Sequence, residues 1–340
     1  RPQHRRPTLR ELLALARRWD ELSVSFKTLY ASALQPPAAM QTRLSPGGHF
    51  EIYYATSGFD AVDQTDAYGY SSSNWRRAVP ASNGVPDYVD EVAWACDSAW
   101  SMEVDRFGFH HPYPPTGGSG RYPVTVLNMD SATGSSDYYG QTFPLGPAPG
   151  GQIGFCSRFE LRNEWIGPLW RDIGGNNYEA DSRPAVHITC AHEFFHAVQY
   201  AMTHAVSGAV WMDDFPTSWI EGTAVLMEEL AHDHVNDFVQ YSAHYFSWPW
   251  SNFFMSGYPY SRSLIAIYLY EHSPSSRGID FFRRMFDNNY AHPLPFEDNL
   301  EQSAVGIGTR WRELLADFHA GSYFTGERAH EDFFIADAAL

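Results

Sequence analysis

An α+β fold is what this chain predicts, on three observations. Strand-like alternation appears in the first half, in "HFEIYYATSG" from His49 and in "YPVTVLNMD" from Tyr122 to Asp130. Apolar residues at helical spacing dominate after Pro184. A strand-bearing half followed by a helical half separates this pattern from a doubly wound sheet, in which strands and helices would alternate throughout. The length of 340 residues, with 44% hydrophobic and 19% charged content, suits a globular chain able to bury a core.

Taken in order, Arg1 to Tyr30 is basic at its start and then helical in pattern ("LRELLALARRWDEL"), and it ends in a break at "QPPAAM", Gln35 to Met40. Residues 1–40 form an N-terminal arm that is either a pro-segment or a packed first helix. Residues 41–340 form the main domain, strand-bearing over 41–183 and helical over 184–340. Within it the first strand is "HFEIYYATSG". A helix follows, with Val89, Val92, Ala93, Cys96, Ala99 and Trp100 on its apolar side and Pro86 and Asp87 at its start. Then come the strand "YPVTVLNMD", a Gly/Pro-rich loop at Gly146–Gln152 and a strand "QIGFCSRFE". Helices are expected near 185–204, 217–233, 260–272, 278–287 and 308–319.

A formal net charge of −17 repels phosphate backbones and anionic membranes, so nucleic acid is not expected as a partner. The longest apolar run, "SLIAIYLY" from Ser263, is too short for a membrane span. Three cysteines, Cys96, Cys156 and Cys190, leave at least one unpaired and allow one disulfide; with no CxxC pair they make no zinc finger. Cys190 is expected to be a small buried side chain. The chain starts at Arg1 without a hydrophobic leader, which fits a secreted protein after removal of its signal peptide and equally a trimmed chain.

The stretch "TCAHEFFHAVQY" (Thr189–Tyr200) carries the chemistry. On a helix, His192 and His196 stand about 40° apart around the axis and about 6 Å along it, on one face. Two imidazoles so placed can close on one zinc ion. Glu193 follows the first histidine directly, where its carboxylate can take a proton from an activated water without joining the ligand set.

A zinc site needs a third protein ligand. Gln199 and Met202 stand where HExxHxxGxxH would require glycine and histidine, and Asp213 and Asp214 lack the neighbours of an aspartate ligand. "TSWIEGTAVLMEEL" (Thr217–Leu230) offers Glu221 in the first turn of a second helix, with about a dozen residues before it in which the chain can reverse. "SWIE" is also a capping-box pattern, in which Glu221 would reach back to Ser218.

"HEFFH" and "WIEGTA", with 24 residues between His196 and Glu221, resemble the gluzincin group of zinc peptidases. More narrowly, "SPGGHFEIYYATSG", "NGVPDYVDEV", "TCAHEFFHAVQY" and "WIEGTAVLMEE" are similar to a family of secreted bacterial metallopeptidases. The resemblance implies a zincin-like fold, zinc held by His192, His196 and Glu221, and Glu193 as general base. Val225 departs from the thermolysin-type pattern, which has an aspartate there to support a ligand histidine; Glu228, two turns beyond Glu221, is a candidate for that support. Gluzincins also supply a tyrosine or histidine to the oxyanion from beyond the third ligand. Tyr260 is favoured for that role, with Tyr258, His204, His232, His234 and His244 as alternatives; His187 is expected to face away from the site.

Two stretches stand apart. The aromatic segment Tyr245–Tyr260 either walls a cleft or covers the helical core. "ASNGVPDYVDEV" resembles a calcium loop, but Ala81 and Val79 stand where oxygen ligands would be, and Asp87, Asp90 and Glu91 serve equally as charges at a helix start. The expected function is a secreted zinc endopeptidase acting on protein or peptide substrates, in which a zinc-activated water attacks with Glu193 as base. The alternatives are a zincin-fold binding or adhesion protein with little turnover, and a zinc amidase acting on cell-wall material.

Overall fold

Leu12, Leu13 and Ala16 are buried at helical spacing behind Thr8, whose hydroxyl and the Glu11 carboxylate make a reciprocal capping box. The chain accordingly begins with α1 (Leu9–Arg17), followed by α2 (Val24–Ala33), which is capped by the Ser23 hydroxyl on Phe26 N–H. The computed structural model describes residues 7–71, 74–79, 82–115, 119–130, 137–202, 216–248, 259–274, 278–291, 294–330, 332, 334–337 and 339.

Strands β1 (Gln41–Leu44) and β2 (Phe50–Tyr54) pair antiparallel. In β2 Phe50, Ile52 and Tyr54 are buried while Glu51 and Tyr53 are half-buried, the alternation read from the sequence. A small antiparallel pair, β3 (Gly69–Ser71) and β4 (Asn74–Val79), precedes α3 (Asp87–Trp100). Val89, Val92, Ala93, Cys96 and Ala99 all face the core from α3, as their spacing predicts. Then come β5 (Tyr122–Leu127), β6 (Gly140–Pro147) and β7 (Phe155–Arg162).

The main sheet has the order β1-β2-β5-β7-β6, with β2, β5 and β7 parallel and the two edge strands antiparallel to their neighbours. The helical half supplies α4 (Arg183–Ala201), α5 (Thr217–His232), α6 (Val239–Ser247), α7 (Ser263–His272), α8 (Gly278–Ala291), α9 (Phe296–Gly306) and α10 (Trp311–Gly321). The fold is therefore α+β. α3 and α4 pack on each other and on the sheet, and α5 packs on α4.

All five helices expected after Pro184 are present, with α7 preceded by a 3₁₀ turn over Pro259–Arg262. The pattern misses β1, β3, β4, β6, α6 and α9. β6 reads "GQTFPLGP", and its prolines and glycines speak against a strand in isolation. They are tolerated because β6 is an edge strand with a register shift between Pro144 and Gly146, where no ladder partner is lost. α6 buries only Tyr245, so it carries no apolar stripe to recognise.

The N-terminal arm lies against this sheet edge. Leu13, Ala16 and Trp19 belong to the main core, and Gln141 on β6 donates to the Pro7 carbonyl. The Trp19 ring stands 3.2 Å from where a Cβ on Gly146 (φ +136°) would lie, so glycine is needed there for both space and backbone conformation.

Candidate metal centre

α4 is apolar nearly all round, with Phe194, Phe195, Ala197 and Val198 fully buried, so the two histidines are set in a rigid, water-poor core. His192 and His196 are 8% and 5% exposed, with ring centroids 4.6 Å apart and planes at 87°. α5 returns alongside α4 in the opposite sense: His192 meets the later residue Glu228, while Gln199 meets the earlier residues Ile220 and Thr223. The connection itself, with Asp213 and Asp214, lies outside the described residues.

That return brings Glu221 to the histidines. Its Oε2 is 3.1 Å from His192 Nε2 and 3.3 Å from His196 Nε2. α5 starts after Pro216 without a side-chain cap, so the capping-box alternative is not what places this carboxylate. Donor atoms bound tetrahedrally at zinc distances would stand about 3.3–3.4 Å apart, an edge length these two spacings match. His192, His196 and Glu221 form a buried group that could hold a metal ion.

The protonation pattern points the same way. His192 Nδ1 is 2.6 Å from Glu228 Oε1, which accepts when Glu228 is ionised, and that nitrogen then carries a proton. His196 Nδ1 is 2.7 Å from Gln199 Oε1, and the Gln199 amide is oriented because its Nε2 donates to Ile220 O and Thr223 Oγ1. With both Nδ1 atoms as donors, each neutral ring turns its Nε2 lone pair toward the Glu221 oxygen. Lone pair against lone pair is repulsive in a buried site unless a cation stands among them or each ring takes a second proton. Burial opposes that second proton on His192, yet hydrogen bonds to Glu221 and Glu228 push its pKa well above the ordinary imidazole value. For Glu221 burial also acts against the charge, but the two histidines hold its pKa down at about 2. One divalent ion satisfies the same demand.

Glu228 supplies the support that Val225, buried in the core, cannot. Burial raises the Glu228 pKa to about 7, against the pull of His192. Gln199 supports the other histidine and is missed by the sequence pattern, because an amide three residues after His196 acquires meaning only once Ile220 and Thr223 orient it. Glu228→Gln keeps the shape but removes the charge behind His192, so metal affinity should fall about 10–100-fold. Competition with a zinc-buffering chelator measures this; an unchanged dissociation constant would show Glu228 to be a packing residue only.

Glu193 lies on the sheet side of α4. The Thr142 hydroxyl of β6 stands 2.7 Å from its Oε2 and 2.8 Å from its carbonyl oxygen. Gly140 makes room for it, since a Cβ there would lie 2.6 Å from Glu193 Cγ and 2.8 Å from Thr189 Cγ2. Burial raises the Glu193 pKa, partly offset by His196 and His192, which moves it toward the range useful to a general base.

These groups open on a cleft of about 560 Å³, whose walls include Tyr139, Trp170, Ile173 and Ile188. Among the described residues no lysine or arginine lines it, and Thr8 of the N-terminal arm stands at its border. Tyr260 also lines it, with its ring 6.0 Å from that of His192. Tyr258, His204 and most of the aromatic segment (residues 249–258) lie outside the described residues.

Other sequence candidates have different surroundings. His187 faces away from the centre, bonded to Glu91 and stacked on His232 at 4.8 Å, with His234 at 6.5 Å from His232. Burial keeps His232 neutral, with its pKa lowered to about 3. His244 sits on α6. The three cysteines are buried and none is joined in a disulfide, with the sulfurs of Cys96 and Cys190 3.7 Å apart. In the calcium-like segment Asp87 accepts from Ala67 and Tyr68 N–H, Asp90 from Arg43 and Asn83, and Glu91 from Tyr68. Among the described residues these carboxylates do not converge as a ligand group, so the structure lends calcium no support there.

A second acidic group, Glu229, Asp233 and Asp337, has ligand-type atoms within 4.8 Å of one another. Burial, then Asp337 and Asp233, raise the Glu229 pKa to about 9. An unfolded glutamate releases its proton near about pH 4.3. The folded chain thus binds the extra proton, and this group's stabilisation is complete below that pH and lost as pH rises toward about 9. Glu229→Gln should therefore flatten the decline of Tm with rising pH, read by calorimetry between about pH 5 and 9. An unchanged slope would place the pH dependence elsewhere.

Comparison with models of known protein families and with curated protein sequences finds no match for this chain.

Proposed function

We propose that this chain is a secreted zinc-dependent endopeptidase of the gluzincin type, built on a zincin-like fold. The observation that carries this reading is the convergence of His192 Nε2, His196 Nε2 and Glu221 Oε2 on one buried point, with Nδ1 of each ring held by Glu228 and Gln199. His192, His196 and Glu221 would hold the ion, which when bound would acidify water and polarise a carbonyl. Glu193, buried next to the ligands, accepts the proton of the attacking water and passes it to the leaving amine. Tyr260 donates from the cleft wall to the oxygen on which charge develops.

The lining of the cleft supports peptide as the substrate class. Its apolar and aromatic wall suits side chains, and without lysine or arginine among its described lining it offers no clamp for a terminal carboxylate. Cleavage within a chain is consistent with that. The presence of Glu193, held by Thr142, favours an enzyme over a binding protein of the same fold.

The test is incubation of the purified chain with a diverse peptide library, with cut sites mapped by mass spectrometry. Cuts lost on chelation and restored by zinc are expected. Cuts indifferent to chelation, or a chain that binds zinc and cuts nothing, would overturn the reading.

A further inference from the structure

Asp237 lies just beyond α5, 2% exposed, among residues that the sequence pattern leaves without a role. It accepts hydrogen bonds from the Tyr178 hydroxyl, from Gln240 Nε2 at 2.7 Å and from the Tyr241 hydroxyl at 3.2 Å. Such concentration of donors on one buried carboxylate fixes whatever it holds. What it holds is the cleft wall, since Asp237, Gln240, Tyr241 and Tyr260 all border the cleft.

The backbone is arranged for this. Asn236 has φ +53°, a left-handed conformation that a residue with a side chain adopts only at some cost. The turn is held by Asn176 Nδ2 donating to the Val235 carbonyl at 2.8 Å. Strain kept in place by such contacts is commonly found at sites that need a side chain aimed.

The aim runs through two rings. Tyr241, anchored by Asp237, stacks on Tyr260 with centroids 5.2 Å apart and planes at 26°. Tyr260 in turn lies 6.0 Å from the His192 ring, at 38° to it. Aromatic stacking restricts a ring's tilt, so fixing Tyr241 restricts where the Tyr260 hydroxyl can go.

We infer that Asp237 is a positioning residue, which through Tyr241 sets Tyr260 for its hydrogen bond to the developing oxyanion. This rests on the peptidase reading given above. A loose support of this kind lowers the rate without loss of the donor, because a displaced hydrogen bond fails in the transition state first.

Asp237→Asn and Tyr241→Phe are the variants to compare, each alone and combined with Tyr260→Phe. kcat and KM are measured on a peptide drawn from the library cuts, with zinc content and thermal melting as checks of integrity. A phosphinic peptide, whose tetrahedral centre carries the oxyanion, gives a binding readout by calorimetry. Expected is a fall in kcat of about 10-fold or more for Asp237→Asn with KM within about 2-fold, and a parallel loss of phosphinic-peptide affinity. In the Tyr260→Phe background the same substitutions should cost almost nothing more, since what they position is gone. Additive losses would overturn the inference, because a merely structural Asp237 would lower activity in both backgrounds alike. Tyr241→Phe keeps the ring and tests the same coupling if Asp237→Asn folds poorly. A wild-type chain that holds zinc but cuts no peptide overturns the underlying reading and the inference with it; cleavage with additive losses overturns the inference alone.

Discussion

Glu193→Gln should lower kcat for peptide cleavage by about 10²–10⁴-fold while leaving zinc bound. The amide has the shape of the carboxylate and keeps an oxygen for the Thr142 hydroxyl, so packing against Gly140 and β6 is preserved. What it loses is the ability to accept a proton. Because Glu193 is not part of the converging ligand group, metal content should remain that of the parent chain. Rates come from steady-state kinetics and metal content from elemental analysis of the same preparations. A variant that keeps more than about a tenth of the parent rate would sink the role of Glu193 as general base.

Replacing the proposed third ligand should have the complementary effect. Glu221→Ala takes one of three converging donors away, and zinc affinity should drop by more than the roughly 10–100-fold typical of losing an outer supporting group. Cleavage should fall to background with it. Bound metal stabilises a fold by an amount set by its concentration relative to Kd, about 2.7 kcal/mol at a hundredfold excess. The rise of Tm on adding zinc should therefore vanish in Glu221→Ala at concentrations where the parent chain shows it. Ser218→Ala is the natural control, since a capping role for Glu221 would make it behave similarly. If Ser218→Ala loses zinc as Glu221→Ala does, or if Glu221→Ala still binds it normally, the ligand assignment fails.

Much of the site can be read from the chain because helical periodicity is local. His192 and His196 share a face through their spacing alone, and Glu193 falls beside them for the same reason. The apolar stripe of α3 and the alternation of β2 are equally local. Glu221 needed one further step, that α5 turns back on α4, which the two apolar helices and the length of the connection made reasonable. Glu228 followed as a residue on the same face of α5.

The remainder depends on groups far apart in sequence. Thr142 is a polar residue in a strand whose prolines conceal it, and only its place on the edge of the sheet puts its hydroxyl on Glu193. Gln199 becomes a support for His196 because Ile220 and Thr223, on another helix, orient its amide. Asp237, Gln240 and Tyr241 have no spacing signal, since α6 shows no apolar stripe and the turn before it is held by the distant Asn176.

The chain on its own therefore specifies the residues of the candidate site: the paired histidines, the adjacent glutamate, and the glutamates at 221 and 228. Tertiary structure decides how they are held. It turns the two Nδ1 atoms onto acceptors, closes a carboxylate to 3.1 and 3.3 Å from the two Nε2 atoms, and shapes the wall around them. The division has a physical cause. Ligand spacing on one helix is set by the repeat of the backbone, whereas hydrogen-bond orientation in a buried site is set by whichever distant groups packing brings within reach.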